Sequence, residues 1–450
     1  MTVYLVRTDL SAGVTTAHDE QVLDWAPGSQ AATIDCGTDF FQGWRPTAPA
    51  AELLVLAAAA YCIDKTHARS GADDAWTRDL GVRLPVQSPT AFDGPAFDRA
   101  FGFLTGDRWD ITAYRSTLDP LAALPLLHQP LIPFVDVDAV SLFSGGLDSL
   151  CGVIDLLEGD PTLRLSLISH YDGGQASSKQ TVLRTRLAAE YGSDRVVLRR
   201  LWLRPAAEDV RQEHPAGPAV ETTTRGRSLL FLAAALALAS SVGPNAPVYL
   251  PENGYIAVNV PLSRARTGSA STRTTHPHFL RLLGDAAAAH GVTNPLVNPY
   301  VFATKGEMLR DSRNPGLLRE LAPITVSCSH PEAARMQQRA QGNCGYCFPC
   351  LIRRSSLAVP DWDDEEYPWD VLTDPSLVTE VDEDRGADLR AVLNGVFADR
   401  PDSDLLRNAP LPSGSHAEHL SVWRRGNAEL RAWLESGAEG ELAEIVERIR

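Results

Sequence analysis

The sequence predicts an α/β protein built around a doubly wound parallel sheet. Between residues 136 and 358, short apolar runs alternate with helical patterns, which is typical of a parallel sheet covered on both faces. A glycine turn follows the first of these runs, "AVSLF", and helical spacing begins directly after it. Further along, three cysteines fall within "CGYCFPC" and indicate a metal site in the same region.

The chain divides into three predicted regions. Residues 1–135 mix strand-like runs with one clear helix and predict an N-terminal α+β accessory domain. Residues 136–358 carry the alternating pattern, the glycine turn and the cysteines. Residues 359–450 begin with an acidic segment and continue in helical patterns. From 361 to 384 there are eleven acidic residues and no basic one, which favours a solvated surface segment; the alternative is a contact for a basic partner.

The composition is that of a globular protein and argues against two classes of function. The 450 residues have a formal net charge of −16, and nucleic-acid binding depends on neutralising phosphates, so no nucleic-acid partner is expected. The longest apolar stretch, 229–243, is short for a membrane span and predicts a buried helix. The first residues lack the pattern of a signal peptide, so we expect a cytoplasmic protein without a membrane partner.

The glycine turn lies between a predicted strand and a predicted helix. Val140, Leu142 and Phe143 suit a buried strand, and the apolar residues at 150, 153, 154 and 157 share one helix face. The first N–H groups of a helix lack partners and carry partial positive charge, so they suit an oxyanion. The residues of this predicted phosphate loop are Ser144, Gly145, Gly146, Leu147, Asp148 and Ser149.

Asp148 stands in this loop where a cation would be expected. A carboxylate beside a phosphate makes sense if Mg²⁺ lies between them. The alternative is a capped helix with an ordinary glycine turn, because Ser and Asp are good helix caps.

Four cysteines have the spacing of a structural zinc site. Cys344, Cys347 and Cys350 follow a C-x2-C-x2-C pattern, and Cys328 precedes them in "TVSCSH". Four thiolates close a tetrahedral shell around Zn²⁺. His330 is the alternative to Cys328 as fourth ligand, and a redox dithiol or unrelated buried thiols are the alternatives to a metal.

Four ordered motifs give the chain a resemblance to a known enzyme family. "SGGLDS" resembles the Ser-Gly-Gly-x-Asp-Ser loop of the PP-loop ATP pyrophosphatases. "TVSCSH…NCGYCFPCLIRR" is similar to the cysteine pattern of one branch of them, the 7-cyano-7-deazaguanine synthase (QueC) family, and "NPYVFATKGEML" and "TTTRGRSLLFLAAALALA" resemble two further QueC segments. With its additional terminal regions, the chain is similar to the QueC-like proteins of bacterial antiphage defence systems, such as QatC.

The resemblance implies a reaction. In this family the phosphate loop holds the β- and γ-phosphates of ATP while the α-phosphate is attacked by a carboxylate. The resemblance therefore implies adenylation of 7-carboxy-7-deazaguanine and transfer of its acyl group to an amine, with release of AMP and pyrophosphate. The acceptor could be the N-terminus of a partner protein, in antiphage defence. The implied cofactors are ATP, Mg²⁺ and Zn²⁺.

Three other functions remain open at this point: a plain 7-cyano-7-deazaguanine synthase that uses ammonia, a tRNA-modifying PP-loop enzyme, and a non-catalytic nucleotide-binding scaffold of a defence complex. The net charge argues against the second. The chain departs from the QueC pattern in three places. Arg227-Ser228 replaces an Arg-Asn pair, "HYDGGQ" replaces a Tyr-Gly-Gln, and the segment 251–279 differs from the family's substrate segment. The last departure bears on the acyl transfer.

The expected catalytic residues are Asp148, Lys305 and Arg227. Lys305 follows Thr304 at a predicted helix start, where it could offset the charge of the pyrophosphate leaving group. Arg225 and Arg227 open a long apolar helix. The helix dipole disfavours cations there, so we expect both to face an anion, either ATP phosphate or the substrate carboxylate.

Further binding residues are expected at the ends of predicted strands. Ser169 and His170 end the second strand of the central region, where this fold receives adenine or ribose. Glu252 and Asn253 end another strand and could contact the purine-like base or the incoming amine.

A polar segment from 263 to 278 is the last candidate. It contains three arginines and no acid, and is either a surface loop or a lid for the substrate. As a lid, it would place Arg264 and Arg273 near the substrate carboxylate. His276, or His278, would then serve as general base for the attacking amine.

Overall fold

The computed structural model describes most of the chain. It covers residues 1–8, 16–17, 20–25, 33–37, 40, 43–116, 136–171, 176–206, 225–262, 273–331, 333, 342–379, 384–398 and 400–450.

The strands in chain order are β1 (Thr2–Arg7), β2 (Glu20–Asp24), β3 (Ile34–Cys36), β4 (Asp79–Val86), β5 (Arg108–Arg115), β6 (Ala139–Leu142), β7 (Leu165–Tyr171), β8 (Val196–Pro205), β9 (Val248–Tyr249) and β10 (Leu296–Val297). The helices are α1 (Ala48–Thr66), α2 (Gly94–Thr105), α3 (Leu147–Gly159), α4 (Ala176–Tyr191), α5 (Arg225–Val242), α6 (Gly254–Val258), α7 (Pro277–Ala289), α8 (Lys305–Arg310), α9 (Pro315–Leu321), α10 (Phe348–Ala358), α11 (Ser376–Thr379), α12 (Ala387–Phe397), α13 (Ser403–Asn408), α14 (His416–Gly437) and α15 (Gly440–Ile449).

The central sheet has the strand order β10-β9-β6-β7-β8-β3 and is parallel except for β3, which pairs antiparallel with β8. Helices cover both faces. Val140 and Leu142 belong to a hydrophobic core shared with α1 and α5, whereas Ala139 and Phe143 belong to a second core with α3. All four residues of β6 are buried, as expected of a central parallel strand. The predicted α/β class with a parallel sheet is therefore confirmed.

The N-terminal region differs from the prediction in two ways. Its own sheet, β2-β1-β4-β5, is parallel throughout, so the region is α/β and the expected α+β class is wrong. In addition, β3 joins the central sheet and α1 packs along α5. The boundary at residue 135 stays a prediction, but the first region shares a core with the second.

The long apolar helix α5 lies inside this shared core. Among the described residues, α5 alone is long and apolar enough to cross a membrane, and most of it is buried within the protein. Packing on both sides accounts for its composition, because a helix surrounded by other elements needs no polar face.

The acidic segment is attached to the protein by ion pairs. Arg354 contacts Asp363 at 3.2 Å and Asp370 at 2.6 Å, and the fully buried Arg353 pairs with Glu365. The expectation of a wholly solvated segment is wrong for this part. Both arginines belong to α10, directly after the cysteine pattern, so the segment neutralises buried cations of its own chain.

Candidate functional site

The predicted phosphate loop occupies the junction between β6 and α3. Gly145 has φ +82°, a left-handed conformation that suits glycine, and a Cβ there would lie 3.0 Å from Gln180 Cγ. Gly146 is the N-cap of α3 in an extended conformation. The hydroxyl groups stabilise the turn internally, because Gly146 N donates to Ser144 Oγ at 3.2 Å and Ser149 Oγ donates to the Gly146 carbonyl at 2.9 Å.

Two other segments support the loop from outside. Gln180 of α4 donates to the Ser144 carbonyl at 3.0 Å, and Val326 N donates to the Gly145 carbonyl at 3.1 Å. Leu147 N donates to Ser327 Oγ at 3.3 Å, while the Leu147 side chain is buried in the core. Leu147 can therefore serve a ligand only through its N–H. Sequence reasoning missed Ser327, although it precedes the first cysteine in the "TVSC" motif.

Three other predicted site residues converge on Asp148. Lys305 Nζ lies 3.0 Å from Asp148 Oδ1. Asn253 donates to Asp148 Oδ2 through its backbone N–H at 3.2 Å and its Nδ2 at 2.7 Å. Asn253 Nδ2 also lies 3.3 Å from Glu252 Oε1. The structure therefore brings together residues from three sequence segments around one buried carboxylate.

The two carboxylates of this group differ in ionisation. Burial alone would raise the pKa of Asp148, but the Lys305 charge and hydrogen bonds lower it below the ordinary value. Burial and the negative charge of Asp148 raise the pKa of Glu252 well above its ordinary value. Two acids this close cannot both ionise easily, so a cation at this position would relieve the repulsion.

Ser169, His170 and Arg227 form a group that supports the end of β7. Ser169 Oγ donates to the Phe143 carbonyl at 2.5 Å. Arg227 donates to His170 Nδ1 at 3.1 Å and to the His170 carbonyl at 2.9 Å, and His170 Nε2 lies 3.1 Å from the Leu203 carbonyl. Ser169 and His170 are buried, so these contacts differ from the predicted contact with adenine or ribose.

A second group gathers at the C-terminal end of α2. Arg225 donates to the Thr105 carbonyl at 2.9 Å, and Arg273 donates to the Phe103 carbonyl at 2.8 Å. The ring of His276 lies 5.2 Å from that of Phe103. Arg225 and Arg273 thus each donate to a backbone carbonyl of the N-terminal region, whereas we expected Arg225 to face an anion and Arg273 to lie near the substrate carboxylate. Arg264 lies outside the described residues.

His276 is poorly suited to the base role predicted for it. Burial, with a smaller effect from the Arg273 charge, lowers the pKa of His276 to about 3. Its Nδ1 accepts a hydrogen bond from His278 N at 3.2 Å and caps α7. A group with such a low pKa is a weak proton acceptor near neutral pH.

The four predicted cysteine ligands lie together. The sulfur atoms of Cys328, Cys344, Cys347 and Cys350 are all within 4.8 Å of one another. The Cys328–Cys347 and Cys344–Cys350 sulfur distances are both 3.8 Å. A tetrahedron with metal–sulfur bonds of about 2.3 Å has edges of about 3.8 Å, so the group has the dimensions to hold a metal such as zinc.

The cysteine group and the phosphate loop share one short segment. Cys350 Sγ lies 3.8 Å from the Ser327 carbonyl, and Ser327 N donates to Asn343 Oδ1 at 2.9 Å. Ser327 in turn accepts from Leu147 N in the loop. A metal at the cysteines would therefore also hold one wall of the loop in place.

A cavity of about 450 Å³ opens beside this wall. Its lining includes Thr325, Val326 and Asn343, and also the exposed carboxylates of Asp364 and Glu366. With Glu365 they make three acids against one cation, Lys179, in the lining, so the cavity itself is a poor place for a triphosphate.

The comparisons with known proteins add no family assignment. No protein-family model matches the chain, and no curated protein is significantly similar to it. The fold, the phosphate loop, the residues around Asp148 and the four cysteines are therefore the structural features on which a functional proposal can rest.

Proposed function

We propose that the protein is an ATP-dependent ligase that adenylates a deazaguanine-type carboxylate, such as 7-carboxy-7-deazaguanine, and transfers the acyl group to an amine. AMP and pyrophosphate leave. The observation that carries the adenylation step is the convergence of Lys305, Glu252 and Asn253 on Asp148 of the glycine loop, and the deazaguanine substrate rests on the motif resemblance to the QueC family. An ordinary helix cap would not require a buried lysine and a second acid from distant segments.

Each residue of this group has a defined part in the proposal. The loop presents N–H groups at the start of α3, where the helix dipole favours a phosphate. Leu147 N and Ser327 Oγ separate to admit a phosphate oxygen between them. Lys305 moves from Asp148 toward the leaving pyrophosphate and offsets its developing charge.

Asp148 and Glu252 are the residues that would hold Mg²⁺. Their crowded carboxylates, one with a raised pKa, match the hard oxygen ligands that this ion prefers. The ion would neutralise phosphate charge as pyrophosphate leaves. Asn253 keeps Asp148 oriented through two hydrogen bonds. Zn²⁺ held by the four cysteines would have a structural part, because the four thiolates would fill all positions of a tetrahedral shell.

The acceptor is a protein N-terminus in this proposal, within a cytoplasmic antiphage system. Ammonia would make the protein a plain 7-cyano-7-deazaguanine synthase. Intact-mass measurement separates the two, since ATP and 7-carboxy-7-deazaguanine should add a deazaguanine acyl group to a co-expressed partner. Release of free nitrile without an adduct would identify the ammonia reaction.

The adenylation step is tested with Asp148→Asn. With ATP, Mg²⁺ and 7-carboxy-7-deazaguanine, this variant should lose AMP formation by about 100-fold, as expected when one group that stabilises the transition state is removed. Asp138→Asn is the control, because Asp138 forms an exposed ion pair with Arg164. Full turnover by Asp148→Asn, with zinc still bound at the cysteines, contradicts the proposal.

A further inference from the structure

The C-terminal helix α14 contacts both segments that converge on Asp148. One segment contains Thr304 and the start of α8, which begins with Lys305. The other contains Asn253 and α6. Residues 419, 422 and 426 of α14 are buried and residue 429 is partly buried, and together they form a stripe that faces these two segments. These positions have helical spacing, so they lie on one side of the helix.

Glu429 contacts the start of α8 with both carboxylate oxygens. Thr304 Oγ donates to Glu429 Oε1, and Gly306 N lies 3.4 Å from Glu429 Oε2. Glu307 N donates to Thr304 Oγ at 3.1 Å. Because that oxygen already accepts from Glu307, the hydroxyl proton of Thr304 is directed to Glu429. Glu429 thus fixes the residue that caps the helix carrying Lys305.

Arg425, one turn earlier on α14, holds the same segment at both of its ends. It donates to Glu307 Oε1 at 2.6 Å and to the Phe302 carbonyl at 2.7 Å. Glu307 also closes the capping box by accepting from Thr304 N at 2.9 Å. Residues 302 to 307 are therefore fixed to α14 on both sides of Lys305.

The second segment is held by close packing and one hydrogen bond. Tyr255 OH donates to Asn427 Oδ1 at 2.8 Å. A Cβ at position 426 would lie 2.3 Å from Tyr255 Cδ2, so only glycine permits this approach. Tyr255 lies two residues after Asn253, which holds Asp148.

From these contacts we propose that Glu429 is a positioning residue for Lys305, and that α14 makes the C-terminal region a required part of the candidate site. The kinetic part of this inference rests on the proposed function. Glu429 need not touch a substrate, because it acts through Thr304 and the first turn of α8. A displacement of Lys305 by about 1 Å is enough to slow a reaction by about 100-fold.

The test compares Glu429→Ala and Glu429→Gln with Glu435→Ala in the full chain. Glu435 lies on the same helix but forms an exposed pair with Arg431 at 3.0 Å. Amide hydrogen exchange of residues 303–310 should be faster in Glu429→Ala than in the control. In AMP formation with 7-carboxy-7-deazaguanine, Glu429→Ala should lower kcat by about 100-fold with little change in the KM for ATP.

Glu429→Gln keeps an acceptor oxygen for Thr304 and should recover most of the lost kcat and exchange protection. Equal exchange and kcat for Glu429→Ala and Glu435→Ala would overturn the inference. A loss of kcat and exchange protection in Glu429→Gln as large as in Glu429→Ala would also overturn it. If the wild-type protein forms no AMP, the proposed function fails, and the exchange measurement still decides whether Glu429 positions the helix.

Discussion

Lys305 Nζ lies 3.0 Å from Asp148 Oδ1, and the two side chains are only 8% and 9% exposed. They are separated by more than 150 positions in the chain, yet each is the charge partner of the other. Removing one partner of such a buried pair leaves an uncompensated charge, which is the costly case for ion pairs.

Lys305→Met should therefore lower the free energy of unfolding by about 3 kcal/mol at pH 7. The double variant Asp148→Asn/Lys305→Met should lose less than the sum of the two single variants, because neither charge is then left alone. Urea unfolding of all four proteins measures the coupling. Strict additivity would show that the pair does not interact.

Gly145→Ala tests the left-handed turn of the phosphate loop. With φ +82° and a new Cβ 3.0 Å from Gln180 Cγ, the variant should unfold more easily by about 1 to 2 kcal/mol. Gly284→Ala is the matched control, since a Cβ added at this position of helix α7 would meet no other element within 4 Å. It should stabilise the protein by up to about 1 kcal/mol. Equal effects from both variants would contradict the assigned conformation.

The group of four cysteines predicts a defined zinc stoichiometry. Elemental analysis of the purified protein should find one zinc per chain, and Cys344→Ser should lose it and lower Tm. Cys62→Ala removes a buried thiol outside the group and should keep the metal. Because Ser327 joins the cysteines to the loop, amide exchange at 144–149 should also rise in Cys344→Ser. Zinc binding by Cys344→Ser with the affinity of the wild type would contradict Cys344 as a ligand.

Substitutions of two neighbouring glutamates test the ion pairs of the acidic segment. Glu365→Gln leaves the fully buried side chain of Arg353 without its charge partner and should cost about 2 to 4 kcal/mol. Glu366 is exposed, so Glu366→Gln should change the free energy of unfolding by less than about 0.5 kcal/mol. Similar costs for the two variants would mean that the segment is solvated after all.

Glu429 should make the stability depend on pH. Burial raises the pKa of Glu429 to about 7, although Thr304, Gly306 N and the Arg310 charge oppose it; the Glu307 charge adds to the rise. Tyr255 of α6 also lies against α14. The folded state then binds the proton more tightly, so this contribution is fully present below the ordinary value of 4.5 and is lost as pH rises through about 7.

The difference in unfolding free energy between the wild type and Glu429→Gln isolates this effect. Between pH 5 and 7, the wild type should lose stability relative to the variant, with a slope of at most about 1.4 kcal/mol per pH unit. Urea titrations at several pH values give the slope. A flat difference, or one of opposite sign, would show that Glu429 is ionised throughout.

Local patterns were sufficient for several features. The alternation of apolar runs and helices predicted the parallel sheet, because a buried parallel strand is apolar on both faces. The spacing of Cys344, Cys347 and Cys350 predicted that they would lie together, since a short turn cannot separate them. The position of Gly145 and Gly146 between strand and helix was also readable from local periodicity.

Other features depended on contacts between distant segments. Arg225 and Arg227 are two residues apart on α5, and the same argument predicted an anion for both. In the structure Arg225 contacts Thr105 of the N-terminal region and Arg227 contacts His170 of β7. A helix turns by about 100° per residue, so near neighbours face different surroundings.

The sequence by itself therefore determined the α/β class, the strand-to-helix position of the glycine loop and the cysteine ligand pattern, all of which depend on short-range spacing. Only the tertiary structure decided that Lys305, Asn253 and Glu252 meet at Asp148, that Ser327 closes the loop, and that Glu429 of α14 holds Thr304. Those contacts arise when separately formed elements pack, and packing geometry is a property of the whole core.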